Sequence, residues 1–160
     1  MEVRNAGKPR DVLQAIHDGK TSGSVPVPCD GCTACCRSAN ITVQLSREEA
    51  DRLPLHREHD GRMVLQKRAD GACIYLDSDN RCSVYHERPA VCRLYDCRLW
   101  AIVGVTPVGD PDWAARIDSW VFDLSDVEDA SLVAELRGRA SRVPKGKTIR
   151  DYLAAISESS

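Results

Sequence analysis

The sequence predicts a small α+β fold, in which an irregular cysteine-rich centre with short β-hairpins is flanked by N- and C-terminal α-helices. All eight cysteines lie between positions 29 and 97 of the 160 residues. Turn-forming residues interrupt that stretch at short intervals, whereas apolar residues recur at helical spacing on both sides of it. A chain of this length can bury a core without cross-links, so stability alone does not require the cysteines.

The segment that precedes the cysteines predicts one helix and a loop. In "PRDVLQAIHDG", Val12, Leu13 and Ile16 share one helical face, and Pro9 suits a helix start as Gly19 suits its end. "TSGSVPVP" then predicts a loop that leads to the first cysteine.

The centre of the chain predicts strands, a short helix and turns. "ITVQL" alternates apolar and polar residues like a half-buried strand, and Ser46 and Glu49 in the following "SREEADRL" have capping-box spacing. "RMVLQKRADGACIYLDSDNRCSVY" predicts two successive hairpins, with turns at Asp70-Gly71 and at residues 77–80. If residues 76 and 81 flank the second loop, Cys82 lies opposite Tyr75, with Cys73 on the same face.

The stretch "HERPAVCRLYDCRLW" predicts a turn into a helix, with Pro89 in the first turn and Cys92 one turn further on. Cys97 lies about 140° round an ideal helix from Cys92. Either the helix ends before Cys97, or the two thiols face different ligand groups.

The C-terminal arm predicts helices whose apolar stripes we interpret as core rather than as a cofactor-binding surface. Ser125 and Glu128 have capping-box spacing before the second stripe, and "TIRDYLAAI" closes the chain as a helix. The stripes comprise Trp113, Ile117, Trp120, Val121 and Leu124, then Ala130, Val133 and Leu136, then Ile149, Tyr152, Leu153 and Ile156.

The composition of the chain argues against some classes of partner and cellular location. Lys and Arg number 22 against 24 acidic residues, without the basic face that binding to a phosphate backbone favours, so we expect no nucleic-acid partner. No apolar stretch has the length of a signal peptide or of a membrane helix, so we expect a cytoplasmic protein without a membrane partner. In that reducing compartment, clustered cysteines favour metal ligands or redox groups over structural disulfides.

The densest cysteine motif is "CDGCTACC", residues 29–36. Its spacing alone permits disulfides, a reactive thiol or a metal cage. Cys29, Cys32 and Cys35 are evenly spaced, which is closer to three ligands of a four-iron cluster loop than to the separated pairs of a zinc finger. Adjacent Cys35 and Cys36 have diverging side chains, so they could serve two neighbouring metal sites, or one of them could be a non-ligand.

Arginines stand beside four of the cysteines, and their guanidinium groups could offset the negative charge of a thiolate centre. Each of them could equally be a solvated surface group. They occur as Cys36-Arg37, Arg81-Cys82, Cys92-Arg93 and Cys97-Arg98.

With "CDGCTACC", "GACIYL" and "CSVYHERPAVCRLYDC", the chain resembles the bacterial zinc- or iron-chelating CxxCxxCC family, also called YkgJ-like. The resemblance spans Cys29 to Cys97; it implies a bound metal and leaves the activity open. A related motif in flagellin lysine methylases implies an iron-sulfur cluster, but this chain has no obvious separate domain for a methyl donor. The metal ligands that the resemblance implies are Cys29, Cys32, Cys35, Cys36, Cys73, Cys82, Cys92 and Cys97.

These observations lead us to expect one domain over 1–160, with a cysteine-cluster metal-binding core at 29–97 and a helical arm at 112–157. We favour an iron-sulfur cluster or related iron centre as the cofactor, with zinc as the alternative. Three functions stay open: a metal-dependent enzyme that modifies a protein or peptide, a structural zinc module for a protein partner, and a metal-handling protein. No residue is assigned a catalytic role.

Overall fold

The computed structural model describes residues 2–23, 32–145, 147 and 149–157, and it confirms a small α+β fold. The chain divides into two compact units, Met1–His17 with Asp96–Ser160, and Asp18–Tyr95. None of the helices within the described ranges has the length and apolarity needed to cross a membrane.

In chain order the elements are β1 (Arg4–Gly7), α1 (Pro9–Ser22), α2 (Ala34–Arg37), α3 (Arg47–Arg52), β2 (His56–His59), β3 (Arg62–Leu65), a 3₁₀ helix (Tyr85–Glu87), α4 (Ala90–Leu94), α5 (Arg98–Val103), α6 (Pro111–Asp118), β4 (Trp120–Phe122), α7 (Val127–Ala140) and α8 (Ile149–Ser157).

The first unit, Met1–His17 with Asp96–Ser160, combines a two-stranded parallel sheet with helices. Strand β1 pairs with β4, with Arg4 beside Trp120 and Gly7 beside Phe122. Helix α5 contacts α6 and α7, and α7 contacts α8. One buried core cluster of this unit is formed by Val12, Ile102, Val133 and Leu136.

Helix α1 begins at Pro9, as predicted, but the predicted end at Gly19 is wrong. The helix runs to Ser22, and Gly23 follows it with φ of 80°. Glycine reaches this left-handed conformation without steric cost, which makes it a common residue just after a helix. Thr21 and Ser22 of the predicted loop therefore belong to the helix, and its residues 24–28 lie outside the described residues.

The prediction of one helical stripe from Trp113 to Leu124 is wrong in its second half. Helix α6 ends at Asp118 and the chain continues as β4, which leaves Val121 52% and Leu124 42% exposed. Backbone pairing with β1 is the cause, because it satisfies the peptide groups of residues 120–122 that a longer helix would otherwise have used. The first three stripe residues, Trp113, Ile117 and Trp120, are buried as predicted.

The capping box predicted at Ser125 and Glu128 is also wrong. Helix α7 begins at Val127, and its N-cap is Asp126, whose carboxylate accepts a hydrogen bond from the Glu128 backbone N at 2.9 Å. The Ser125 hydroxyl instead donates to Asp123 at 2.6 Å. The predicted core stripe of this helix is confirmed at Val133 and Leu136, which are both buried.

The second unit, Asp18–Tyr95, contains a hairpin that the sequence analysis missed. Strands β2 and β3 pair antiparallel around Asp60-Gly61, whose φ angles are 51° and 73°. Two successive positive φ angles are typical of the type I′ turn that Asp-Gly favours.

The strand predicted at "ITVQL" is reduced to one bridge, between Gln44 and Val64. The segment still runs along β3, since Leu45 N donates to Met63 O at 2.9 Å and Leu65 N donates to Val43 O at 3.0 Å. The predicted alternation is confirmed. Apolar residues of this segment enter a core cluster of the unit that is formed by Val43, Leu45, Ala50, Leu53 and Leu65.

The two predicted hairpin turns exist, but each carries a single bridge rather than a ladder of pairs. The bridges join Lys67 to Cys73 and Leu76 to Cys82. The predicted register of the second turn is therefore wrong by one residue, because Cys82 lies opposite Leu76.

Asp77 explains the register of the second turn. Its backbone N donates to Arg81 O, and its carboxylate accepts from the backbone N atoms of Asp79 and Arg81, all at 2.9 Å. Residues 77 and 81 thus flank the loop. Asn80 takes the left-handed conformation, with φ of 59°, which Asn tolerates better than most residues.

Candidate metal centre

Four thiols of the second unit act on one another electrostatically, and we call them the thiol cluster: Cys36, Cys73, Cys82 and Cys92. Cys36 lies on α2, Cys73 and Cys82 follow the two turns, and Cys92 lies on α4. The pKa of Cys92 is raised first by burial and then by the charges of the other three thiols. Segments far apart in the sequence therefore bring these thiols into one neighbourhood.

Backbone contacts hold the first turn against the end of α2. Cys73 N donates to Cys36 O at 2.7 Å, and the Lys67 ammonium donates to Ser38 O at 2.8 Å. Gly71 has φ of 83°, and a Cβ at this position would lie 2.8 Å from the Cβ of Ala39. Only glycine permits this close approach, so the turn chemistry itself places Cys73 next to Cys36.

Glu49 positions the start of α4 and with it Cys92. The predicted capping box is confirmed, since Ser46 N donates to the Glu49 carboxylate at 2.9 Å and Glu49 N donates to the Ser46 hydroxyl at 3.1 Å. The other carboxylate oxygen accepts from Ala90 N at 2.7 Å. Burial would raise the pKa of Glu49, but the hydrogen bonds from Ser46 and Ala90 outweigh it and hold this pKa below its ordinary value.

Arg93 joins the segment that leads towards the "CDGCTACC" motif to the residues before α4. Its Nε donates to Gly23 O at 3.0 Å, and its Nη1 donates to Arg88 O at 2.5 Å. This arginine, predicted to offset thiolate charge, is therefore bound to backbone carbonyls.

The thiols differ in how readily they ionise. A hydrogen bond from Cys35 lowers the pKa of Cys36 to about 7, although burial acts in the opposite direction. The positive charges of Lys67, Arg88 and Arg37 also lower this pKa. Burial, aided by the neighbouring thiols, raises the pKa of Cys92 to about 12. Burial also raises the pKa values of Cys73 and Cys82. If these four groups were drawn together as thiolates they would need a cation among them, and soft thiolate donors suit zinc or iron.

The remaining cysteines of the motif are described only in part. Cys29 lies outside the described residues, and Cys32 is half-buried just before α2. None of the seven described cysteines is joined to another by a disulfide.

In the part of the chain that the structure describes, no three or more His, Cys, Asp or Glu side chains are arranged closely enough to hold a metal ion. A metal would have to draw the cluster thiols into a closer set.

Cys97 belongs to the first unit and is buried. Helix α4 ends at Leu94, so the first of the two alternatives for the Cys92–Cys97 segment is confirmed, and Cys97 is the N-cap of α5. The Trp120 indole Nε1 donates to the Cys97 sulfur at 3.2 Å. The role of Cys97 as a metal ligand stays a prediction.

Two cations that act on the thiol cluster escaped the sequence analysis, Lys67 and Arg88. The analysis considered only arginines adjacent to cysteines. Of these, Arg37 lowers the pKa of Cys36, whereas Arg81 is exposed and Arg98 pairs with Asp96. No local spacing marks either cation in the sequence, since Lys67 follows β3 and Arg88 precedes α4.

The sequence profile of the CxxCxxCC family, described as a "putative zinc- or iron-chelating domain", matches residues 28–109. The match covers just over half of the chain and includes all eight cysteines. The chain therefore belongs to this family. No curated protein and no solved structure matches the chain significantly. Family membership supports metal binding in general, without fixing the metal or its role.

Proposed function

We propose that the protein binds a metal centre through the thiolates of the thiol cluster, with Cys29, Cys32 and Cys35 as further ligands. The observation that carries this proposal is the electrostatic coupling of four thiols from α2, two turns and α4 within one unit. Three of these thiols resist ionisation in the absence of a cation. Metal binding would remove their protons and stabilise the arrangement that gathers them.

Iron is the metal that we propose, as an iron-sulfur cluster or a related iron centre. The even spacing of Cys29, Cys32 and Cys35 supports it, as do the cations Lys67 and Arg88, whose charges favour thiolate over thiol. When bound, such a centre could exchange electrons. A cytoplasmic location, where thiols stay reduced, would suit this chemistry.

Structural zinc is the second candidate. A backbone hydrogen bond between Cys73 and Cys36, and a hydrogen bond from the Arg93 side chain to Gly23 O, tie separate segments around the cluster. A four-coordinate zinc ion would hold such segments together without any redox role. In that case the protein would present a surface to a protein or peptide partner, or carry the metal for transfer.

The spectrum of protein purified without oxygen from iron-replete cells separates the two metals. We expect a brown protein with stoichiometric iron and a Mössbauer signal of thiolate-bound iron, because iron thiolates absorb visible light and zinc thiolates do not. A colourless protein with stoichiometric zinc would contradict the choice of iron. Less than roughly a tenth of an equivalent of both metals together would contradict metal binding itself, since a four-thiolate site retains its metal through purification.

A further inference from the structure

The two-stranded sheet of the first unit has one covered face and one uncovered face. Ala6 and Trp120 are buried on the covered face, and Phe122 packs against the core cluster of the unit. Side chains alternate between the faces along a strand, so Asn5 and its partner Val121, which are both exposed, lie on the other face. We call this other side the open face, and it comprises Val3, Asn5, Val121 and Asp123. No layer covers it among the residues that the structure describes.

Apolar side chains gather at the open face. An open depression of about 350 Å³ lies over it, and Phe122 lines this depression together with the four residues of the face. Val3 and Val121 are exposed there although both are apolar. The segment that follows β4 adds Leu124 and Val127, which are exposed as well. Apolar side chains that gather at one place on a surface, rather than being scattered singly, indicate a contact with another protein.

The open face ends in one charge of each sign. Asp123 N donates to Gly7 O at 3.0 Å, which places Asp123 beside the residue that precedes Lys8. Ser125 donates to Oδ1 of the Asp123 carboxylate, through its backbone N and its hydroxyl, and Oδ2 is left available. The Lys8 ammonium group has no hydrogen bond or ion pair within the described ranges. A cation and an anion are therefore both accessible to a partner.

This pair of charges favours a second copy of the same chain as the partner. In a contact with two-fold symmetry, both chains use the same surface, so that surface must be complementary to itself. A face with charges of one sign would repel its copy, whereas Lys8 of one chain can pair with Asp123 of the other. Two short strands are also marginally stable by themselves, and a contact that covers their open face would support them.

We propose that the open face is the contact surface of a homodimer, in which Val3 and Val121 pack against the same residues of the second copy. Lys8 of each chain forms an ion pair with Asp123 of the other chain at the two ends of this contact. The inference goes beyond the proposed function, because every residue of the contact belongs to the first unit and none belongs to the thiol cluster.

Sedimentation velocity of the full-length protein under reducing conditions, at about 1 and 100 µM, measures the dimer. At the higher concentration we expect a mass of twice the 17.7 kDa of one chain. Val121→Asp should weaken dimerisation at least about 100-fold, because it places an unpaired charge in the centre of the contact. Val108→Asp is the matched control, since Val108 is an exposed valine that does not line the depression; this variant should dimerise like the wild type.

A reversal of charges tests the ion pairs, and it decides the matter if Val121→Asp does not fold. Lys8→Glu and Asp123→Lys should each weaken dimerisation about tenfold, and the double variant should recover it because the charges are then opposite again. A wild-type protein that is monomeric at both concentrations would overturn the second copy as the partner of this face. Wild-type dimerisation in Val121→Asp, or a double variant no stronger than the single ones, would overturn the proposed contact.

Discussion

Cys92→Ser is expected to weaken metal binding by roughly 100-fold and to leave the purified protein largely without metal. Binding of a structural metal by four ligands is worth about 10–16 kcal/mol, so that one thiolate contributes about 3 kcal/mol of binding free energy. Serine keeps the size of the side chain but remains protonated at neutral pH. Burial, and after it the charges of the other three cluster thiols, raises the pKa of Cys92 to about 12.

Val91→Ser is the matched control for this prediction. Val91 precedes Cys92 on α4 and is 43% exposed, so its replacement tests whether serine disturbs the helix itself. Metal content by elemental analysis and affinity by chelator competition are the measurements. Retention of wild-type affinity in Cys92→Ser would contradict the proposed ligand set. The same loss is expected for the other cluster thiols, Cys36, Cys73 and Cys82, and for the further predicted ligands Cys29, Cys32, Cys35 and Cys97.

Asp96→Asn is expected to lower the free energy of unfolding by about 3–5 kcal/mol. The Asp96 carboxylate is fully buried and pairs with Arg98, whose side chain is only 11% exposed. Arg98 Nε lies 3.0 and 3.2 Å from the two carboxylate oxygens, and Nη2 lies 2.7 Å from one of them. Neutralising the aspartate removes the carboxylate charge that pairs with this buried guanidinium, and removing one partner of a buried pair is strongly destabilising.

Urea unfolding followed by circular dichroism at neutral pH measures this loss. Glu135→Gln is the control, because Glu135 pairs with Arg139 at 2.6 Å through a carboxylate that is 57% exposed. A surface pair of this kind contributes at most about 1 kcal/mol. If Asp96→Asn is no less stable than Glu135→Gln, the buried pair does not support the first unit as we argue.

The features that the sequence predicted correctly depend on residues close together along the chain. Pro9 starts α1, Ser46 and Glu49 form a capping box, and the turn at Asp70-Gly71 is present. Each of these signals acts within one helical turn or one tight turn, so the surrounding fold has little opportunity to override it.

The features that the sequence did not predict depend on distant partners. The stripe that includes Trp120 and Val121 suits a helix, yet these residues form a strand because β1 at the other end of the chain pairs with them. When two parallel strands that are far apart in the chain pair with each other, the residue pattern of neither segment carries a signal of that pairing. The Asp60-Gly61 hairpin is a different case, since its turn signal was present in the sequence and was overlooked.

The candidate site shows the same division. Cysteine spacing identified the thiols, and the neighbouring Arg37 lowers the pKa of Cys36. Two further cations that act on Cys36, Lys67 and Arg88, are not sequence neighbours of a cysteine. Lys67 bonds to Ser38 O at the end of α2, and Arg88 stacks on the Tyr85 ring.

The most direct test of the central claim is X-ray absorption at the metal edge of full-length protein purified without oxygen. If the thiolates of the cluster hold the metal, the spectrum should show about four sulfur ligands per metal at about 2.3 Å. This result is expected for iron and for zinc, so it tests the ligands independently of the metal. A coordination shell made mainly of nitrogen and oxygen at about 2.0–2.1 Å would contradict a thiolate-bound metal centre.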